Sequence, residues 1–168
     1  ETSLWLVPAN GSAEPRPLTA GTRDSSPRWS PDSRSLAFVR AVERDGKAQP
    51  PQIYVLPLEG GEAHAVTDLP KGAGAPAWSP DGTRIAFTST TRDEDFAKAS
   101  DAPKPSDVRV ITEAVYRSNG GGWNEPDRPA HVWVTSAGPG AGIVKPQQLT
   151  SGRYADNGHA WAPDASRI

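Results

Sequence analysis

The sequence predicts an all-β chain, a partial β-propeller built from four-stranded antiparallel blades, and three observations carry that prediction. A hairpin motif is written three times along the 168 residues, strand signatures recur in step with each copy, and helical periodicity is missing throughout. Glycine (16) and proline (18) are both frequent, which suits short strands joined by tight turns.

The fullest copy of the motif is Ala77-Trp78-Ser79-Pro80-Asp81-Gly82-Thr83-Arg84-Ile85-Ala86-Phe87. Ser79, Pro80, Asp81 and Gly82 supply the residue types of a type I turn: a small hydroxyl, the preset φ of proline, an aspartate, and a glycine where φ > 0 is cheap. On the strand that follows, Ile85 and Phe87 point one way and Ala86 the other. The earlier copy is Arg28-Trp29-Ser30-Pro31-Asp32-Ser33-Arg34-Ser35-Leu36-Ala37-Phe38, and the later one Ala160-Trp161-Ala162-Pro163-Asp164-Ala165-Ser166-Arg167-Ile168. Trp, Pro and Asp hold in all three. Ser33 and Ala165 stand where Gly82 does, and Ala162 where Ser79 does, which leaves turn geometry open at those two copies.

Leu4-Trp5-Leu6-Val7, Ile53-Tyr54-Val55-Leu56 and Val132-Trp133-Val134 read as a further strand of each unit. Pro17-Leu18-Thr19, Ala65-Val66-Thr67 and Gln148-Leu149-Thr150 read as the fourth. The motif tryptophans lie 49 and 83 residues apart (78 − 29 and 161 − 78). A four-stranded unit of about 40–45 residues, lengthened by loops, is the period of a propeller blade. In order, residues 4–19 read as the last two strands of one blade, 27–67 as a full blade, 76–150 as a second with an insertion at 91–130, and 159–168 as the opening of another. With no methionine, and with a strand at each extremity, the chain reads as a fragment of one propeller domain.

Two loops interrupt the blades. Val42 to Pro51 is polar, with a glycine turn and a double proline, and is expected to be an exposed connection. Thr91 to Pro105 is charged and proline-bearing and is expected to be a mobile surface loop. Asp107 to Arg117 is β-branched and alternating, a predicted strand running into Ser118-Asn119-Gly120-Gly121-Gly122-Trp123, where three glycines permit a tight reversal.

Composition narrows the function. The net charge is −2 and the basic residues are scattered singly, so a nucleic-acid partner is not expected. No segment approaches a membrane span, and no membrane partner is expected. Without cysteine there is no thiolate metal site and no cysteine nucleophile. Asp32, Asp81 and Asp164 invite a cation-binding reading, yet each follows a turn proline, where aspartate bonds nearby backbone. Asp93-Glu94-Asp95 lacks the spaced ligands of a calcium loop. Gly120-Gly121-Gly122 has neither the lysine and serine nor the helix of a phosphate cradle. No metal and no cofactor are therefore expected. Trp29, Trp78 and Trp161, one per repeat, are read as packing between blades rather than as a ligand platform. The histidines His64, His131 and His159 are read as structural.

The repeated Trp-Ser-Pro-Asp-Gly hairpin followed by Ile-Ala-Phe resembles the TolB-type propeller repeat. Together with Val108-Arg109-Val110-Ile111-Thr112, Tyr116-Arg117-Ser118-Asn119-Gly120-Gly121-Gly122-Trp123 and His131-Val132-Trp133-Val134, it resembles the N-terminal propeller of the acylaminoacyl-peptidase branch of the prolyl oligopeptidase family. The resemblance spans nearly the whole chain. It implies a propeller stacked on an α/β-hydrolase domain that carries a Ser, Asp, His triad and acts on peptides. This chain has no Gly-x-Ser-x-Gly elbow, so no catalytic residue is assigned to it. On this reading the propeller gates and selects short peptides for a separate hydrolase domain, from the cytoplasm or, as the alternative, the periplasm. Tyr116, Arg117, Asn119 and Trp123 are the candidate substrate- or domain-facing residues. The alternative function is a TolB-like binding module with no enzymatic domain. Two blades and two halves cannot close a ring, so self-association through open blade edges is also expected.

Overall fold

A computed structural model of the chain describes residues 1–96, 128–138 and 140–168, and the backbone pairing of 117–118 with 122–123. Strands β1 (Trp5–Leu6) and β2 (Arg16–Pro17) form a short antiparallel ribbon. Next come β3 (Asp24–Trp29) and β4 (Ser35–Arg40), a small hairpin of β5 (Glu43–Arg44) and β6 (Lys47–Ala48), then β7 (Gln52–Pro57) and β8 (His64–Ala65). The second half holds β9 (Gly74–Trp78), β10 (Arg84–Ser89), β11 (Arg117–Ser118), β12 (Gly122–Trp123), β13 (His131–Ser136) and β14 (Gln147–Gln148). Two four-stranded antiparallel sheets result, ordered β3-β4-β7-β8 and β9-β10-β13-β14. Each is a blade, and the fold is all-β and propeller-like: the described residues contain no α-helix, only a 3₁₀ turn at Asp93–Phe96.

All three motif turns close in the same way. The amides of Gly82, Ser33 and Ala165 donate to the carbonyls of Ser79, Ser30 and Ala162. The final residue is left-handed in each, with φ of 70° at Gly82, 60° at Ser33 and 58° at Ala165. Loss of the glycine has therefore not changed the turn; two copies hold an L-residue in a conformation that disfavours it. A Cβ on Gly82 would meet only Pro31 Cδ, at 3.8 Å, so space is not what demands glycine there. We expect Gly82→Ala to cost about 1–2 kcal/mol from conformation alone and Ser33→Gly to be neutral or mildly stabilising, as read by urea unfolding.

Burial explains the motif's alternation. Ile85, Ala86 and Phe87 on β10 are all fully buried, as are Ala37 and Phe38 on β4, so both faces of each central strand are covered. Ala37, Ile53 and Val55 of the first blade meet Ile85, Phe87 and Trp133 of the second in one core. Leu36 and Phe38, on the opposite face of the first blade, pack with Leu4 and Leu18 of the ribbon and with Leu56 in another. Each blade thus presents one face to its predecessor and the other to its successor, and burial of each large side chain is worth about 1.5–3 kcal/mol.

The first strand of each blade carries an interruption that the sequence reading missed. Pairing of β3 with β4 slips between Ser25 and Arg28, and pairing of β9 with β10 between Ala86 and Thr88. Ser26 and Ala75 sit at positive φ (54° and 50°) immediately before Pro27 and Pro76. Proline has no N–H for the ladder, and a bulge carries the chain past it. Gly158 occupies the same place before the third hairpin, again at positive φ (70°).

The 42–51 connection is exposed and carries the expected glycine turn, to which the structure adds a short hairpin: β5 and β6 flank Asp45 and Gly46, both at positive φ (52° and 70°), as an Asp-Gly turn between strands demands. At the start of the insertion, Asp93–Phe96 form the 3₁₀ turn, and Phe96 packs against the inter-blade core. The strand expected over 107–117 lies outside the described residues except at Arg117.

Candidate functional site

Seams between blades are where the repeated polar residues meet. The threonine ending each unit accepts the backbone N–H that opens the third strand of the same unit: Leu4 N–H to Thr19 Oγ1 (3.1 Å), Ile53 to Thr67 (2.9 Å) and Val132 to Thr150 (2.9 Å). What lies beyond the threonine differs. Thr67 Oγ1 donates to Gln52 Oε1 at 2.8 Å, whereas Thr150 Oγ1 donates to Asp156 Oδ2 at 2.6 Å. Thr19 stands near Asp24 in the corresponding place and helps to lower its carboxyl.

Asp24 is the most deeply held charge. Its side chain is fully buried and accepts two hydrogen bonds from Arg40, from Nε to Oδ1 and from Nη2 to Oδ2, each 2.7 Å. The guanidinium carbon lies 5.0 Å from the Phe38 ring centre and 5.2 Å from that of Tyr54. Burial pushes the Asp24 carboxyl up, but the bonds from Arg40 and the nearby Thr19 hydroxyl outweigh it and hold the carboxyl below its ordinary value.

A second device joins blade to blade through the motif tryptophans. Trp78 Nε1–H donates to Arg28 O at 3.1 Å, and Trp161 Nε1–H to Ala77 O at 3.0 Å. In both cases the acceptor is the residue before the tryptophan of the preceding blade. Arg84 adds to the second seam, with its guanidinium 4.7 Å from the centre of the Trp161 ring and Nη2 donating to Ala165 O at 2.8 Å. Trp78 and Trp161 are half-buried between blades, but Trp29 is 50% exposed and is not core as the repeat suggested. The physical difference is that Trp78 and Trp161 each rest on the hairpin of the preceding repeat, through Arg28 O and Ala77 O, a contact that Trp29 lacks among the described residues.

The turn aspartates are structural. Asp81 Oδ1 accepts from Ser79 Oγ (2.5 Å), Thr83 N–H (3.0 Å) and Thr83 Oγ1 (2.9 Å), which together lower its pKa to about 2. Asp32 accepts from Ser30 Oγ and Arg34 N–H, and Asp164 from Ser166 N–H and Oγ; both carboxyls are lowered by those bonds. The acceptor oxygen of each carboxylate is thus engaged with its own turn.

The insertion leaves the second blade at the end opposite these turns, from the exit of β10 to the entry of β13. Its root is a clamp. Arg128 donates from Nη1 to Asp95 Oδ2 (2.7 Å) and from Nη2 to Asp95 Oδ1 (3.0 Å), while Asp95 Oδ2 also accepts Arg92 N–H (2.8 Å). Burial raises the Asp95 carboxyl, but the Arg128 and Arg92 hydrogen bonds prevail and lower it. Lys145 Nζ lies 5.2 Å from the Phe96 ring centre. Of the four candidate residues, Arg117 and Trp123 pair across a two-stranded ribbon, Arg117 opposite Trp123 and Ser118 opposite Gly122. Tyr116 and Asn119 lie outside the described residues. The clamp therefore fixes where the insertion starts and ends, and the ribbon brings two of its candidates side by side.

One constellation was not anticipated. His131 Nδ1 lies 2.9 Å from Asp156 Oδ2, the oxygen that also receives the Thr150 hydroxyl, and these contacts lower the Asp156 carboxyl. Histidine, carboxylate and hydroxyl are together, but the hydroxyl bonds to the carboxylate and not to the imidazole. A hydroxyl nucleophile needs the base on its own proton, so this group is a seam lock rather than a triad. Its signal was present: Asp156 stands five residues before Trp161, as Asp24 stands before Trp29. His159, read as a satisfied structural residue, instead has both ring nitrogens buried without a hydrogen-bond partner among the described residues.

No family model matches the chain. Among curated proteins it is 36% identical to the uncharacterized peptidase YuxL of Bacillus subtilis over 97% of its length, and 32% identical to dipeptidyl-peptidase 5 of Porphyromonas endodontalis over 81%. It spans only 24% and 19% of the length of those relatives. Among solved structures it resembles a TolB-type protein of Agrobacterium tumefaciens (TM-score 0.57, 19% identity, 92% of this chain and 39% of that one). It also resembles the acylaminoacyl peptidase of Pyrococcus horikoshii (TM-score 0.53, 20% identity, 82% and 19%). At these identities the structural likeness establishes fold.

Proposed function

Because the chain is TolB-repeat propeller sequence of the acylaminoacyl-peptidase-like type, we propose that it is the non-catalytic, substrate-sieving part of a serine peptidase. One observation carries this reading: the curated relatives are peptidases that match 97% and 81% of this chain, while it accounts for less than a quarter of their length. Among the described residues no hydroxyl is hydrogen-bonded to a histidine; those of Ser30, Ser79 and Thr150 bond to carboxylates. The chemistry is therefore assigned to a separate α/β-hydrolase domain, and the propeller's share is specificity. A narrow passage between the two parts would admit short or unfolded peptides. The insertion, with Arg117 and Trp123 paired on its ribbon and with Tyr116 and Asn119 close to them in sequence, is the element we assign to facing the substrate or the hydrolase domain.

The purified 168-residue chain is expected to hydrolyse no acylated or free aminoacyl anilide. The longer protein that contains it should do so, with loss of activity on treatment with an active-site serine reagent. Trp123→Ala in that longer protein should change the ratio of kcat/KM between short and long peptides with little change in thermal stability. Serine-reagent-sensitive hydrolysis by the purified chain, or a longer protein without any hydrolase sequence, would overturn the assignment.

A further inference from the structure

We propose that Asp95 is a positioning residue: through its clamp with Arg128 it sets where the Arg117–Trp123 ribbon stands on the second blade, and with it the selection between short and long peptides. The use in selection rests on the assignment of the insertion to substrate made above. The hold on the ribbon does not.

The two stalks of the insertion are anchored differently. The regular ladder between β10 and β13 ends at Ser89 opposite His131. Beyond Ser89 the outgoing stalk is bolted to both blades. Ser89 Oγ donates to Gly72 O at 2.6 Å, and Thr91 Oγ1 accepts the Lys71 N–H at 3.1 Å, so two buried hydroxyls grip the connector that leads out of the first blade. Farther on, Phe96 packs against the inter-blade core, and Lys145 reaches Asp93 Oδ1 at 3.4 Å and lies over the Phe96 ring. The returning stalk is held at Ala130, whose carbonyl accepts the Asp156 N–H at 2.8 Å. Two residues before that, Arg128 ties it to the anchored turn.

Asp95 makes that tie in the form that best fixes direction. One carboxylate accepts both arms of the Arg128 guanidinium, at 2.7 and 3.0 Å, and also the backbone N–H of Arg92 at 2.8 Å, so it joins the returning stalk to the main chain of the outgoing one. A planar fork on a carboxylate sets orientation as well as distance. The Asp95 and Arg128 side chains are only 12% and 17% exposed, whereas Glu94, 3.6 Å from Arg128, is 66% exposed and contributes little. With the clamp open, two residues beyond Ala130 can swing through about 7 Å, and a misplacement of about 1 Å is enough to cost about a hundred-fold in rate. Asp95 lies outside the blade ladders, and the Ser89, Thr91 and Phe96 contacts survive its loss.

Hydrogen exchange and peptide kinetics on the longer protein test the proposal together. Asp95→Ala should raise exchange across residues 117–123 by about ten-fold or more while leaving β10 and β13 unchanged. Asp95→Asn, which keeps the shape and one acceptor oxygen, should fall between. Asp95→Ala should also shift the ratio of kcat/KM between short and long peptides by about five-fold, in the direction that Trp123→Ala shifts it. In Trp123→Ala protein it should add nothing further, because an effect that travels through the ribbon has no second route. A merely structural loss would add to that of Trp123→Ala. Unchanged exchange across 117–123, or additive effects on the ratio, would overturn the proposal. Raised exchange with a ratio indifferent to both variants would uphold the clamp's hold on the ribbon and strike the assignment of the insertion to substrate.

Discussion

Asp24→Ala is expected to destabilise the chain by about 3–5 kcal/mol, the scale for removing one partner of a buried ion pair. The side chain is fully buried, Arg40 holds both its oxygens at 2.7 Å, and the guanidinium is flanked by Phe38 and Tyr54. Alanine would leave that cation without its counter-charge at the seam between the N-terminal ribbon and the first blade. Replacing both partners, Asp24→Leu with Arg40→Met, should recover much of the loss. Gly21 offers an independent probe: a Cβ there would collide with the Asp24 carboxylate, so Gly21→Ala should act in the same direction.

The pH dependence has a definite sign. The Asp24 carboxyl is held below its ordinary value of 3.8, so its stabilising contribution is fully present above about pH 4 and is lost as pH falls through the lowered value. Urea titrations should show the gap between wild type and Asp24→Ala constant from neutrality to about pH 5 and shrinking below pH 4. A gap that widens on acidification, or an Asp24→Ala loss under about 1 kcal/mol, would refute the assignment.

Trp78→Ala should cost about 3 kcal/mol, and Trp29→Ala under about 1 kcal/mol, although the two residues occupy the same place in the repeat. Trp78 packs against the inter-blade core and donates its N–H to Arg28 O, whereas Trp29 is half exposed and its N–H has no acceptor. Chemical denaturation of monomeric protein separates them. Equal losses would mean that the ring's position in the hairpin, and not the neighbouring blade, sets its energy.

That contrast also shows what could be learned from residue order. The blade was legible because its signals are local: alternation at Ile85-Ala86-Phe87, a turn spelled by Ser79 to Gly82, and a tryptophan that returns. The neighbour of each element was not, since identical motifs at Trp29 and Trp78 look alike until a blade is or is not beside them. Ser33 and Ala165 left their turns open in the sequence, yet both turns form, because proline at the second position and the aspartate bonds outweigh one unfavourable φ. The Asp45-Gly46 hairpin was missed although its turn pair was visible, for its strands are only two residues long. At the candidate site, Arg117 and Trp123 could be chosen for their place beside a glycine run, but the Asp95–Arg128 clamp links residues 33 apart and has no local pattern. The His131–Asp156–Thr150 lock is intermediate: Thr150 and Asp156 follow the repeat, while His131 replaces the Gln52 of the other blade.

The bulges before Pro27 and Pro76 bear on a hazard of every open sheet. An edge strand with a regular row of free N–H and C=O groups is a template on which copies can stack without limit, the first step toward a fibril. In each blade the first strand, at one edge, is kinked by a left-handed residue and lacks a donor at the proline. The other edge, β8 or β14, is two residues long. Neither edge offers a straight run on which a sheet could lengthen strand by strand. Contact between copies, if it occurs, is left to the faces of the blades, where side-chain shape limits what fits, so the kinked and short edges guard a chain rich in β-structure against runaway polymerisation.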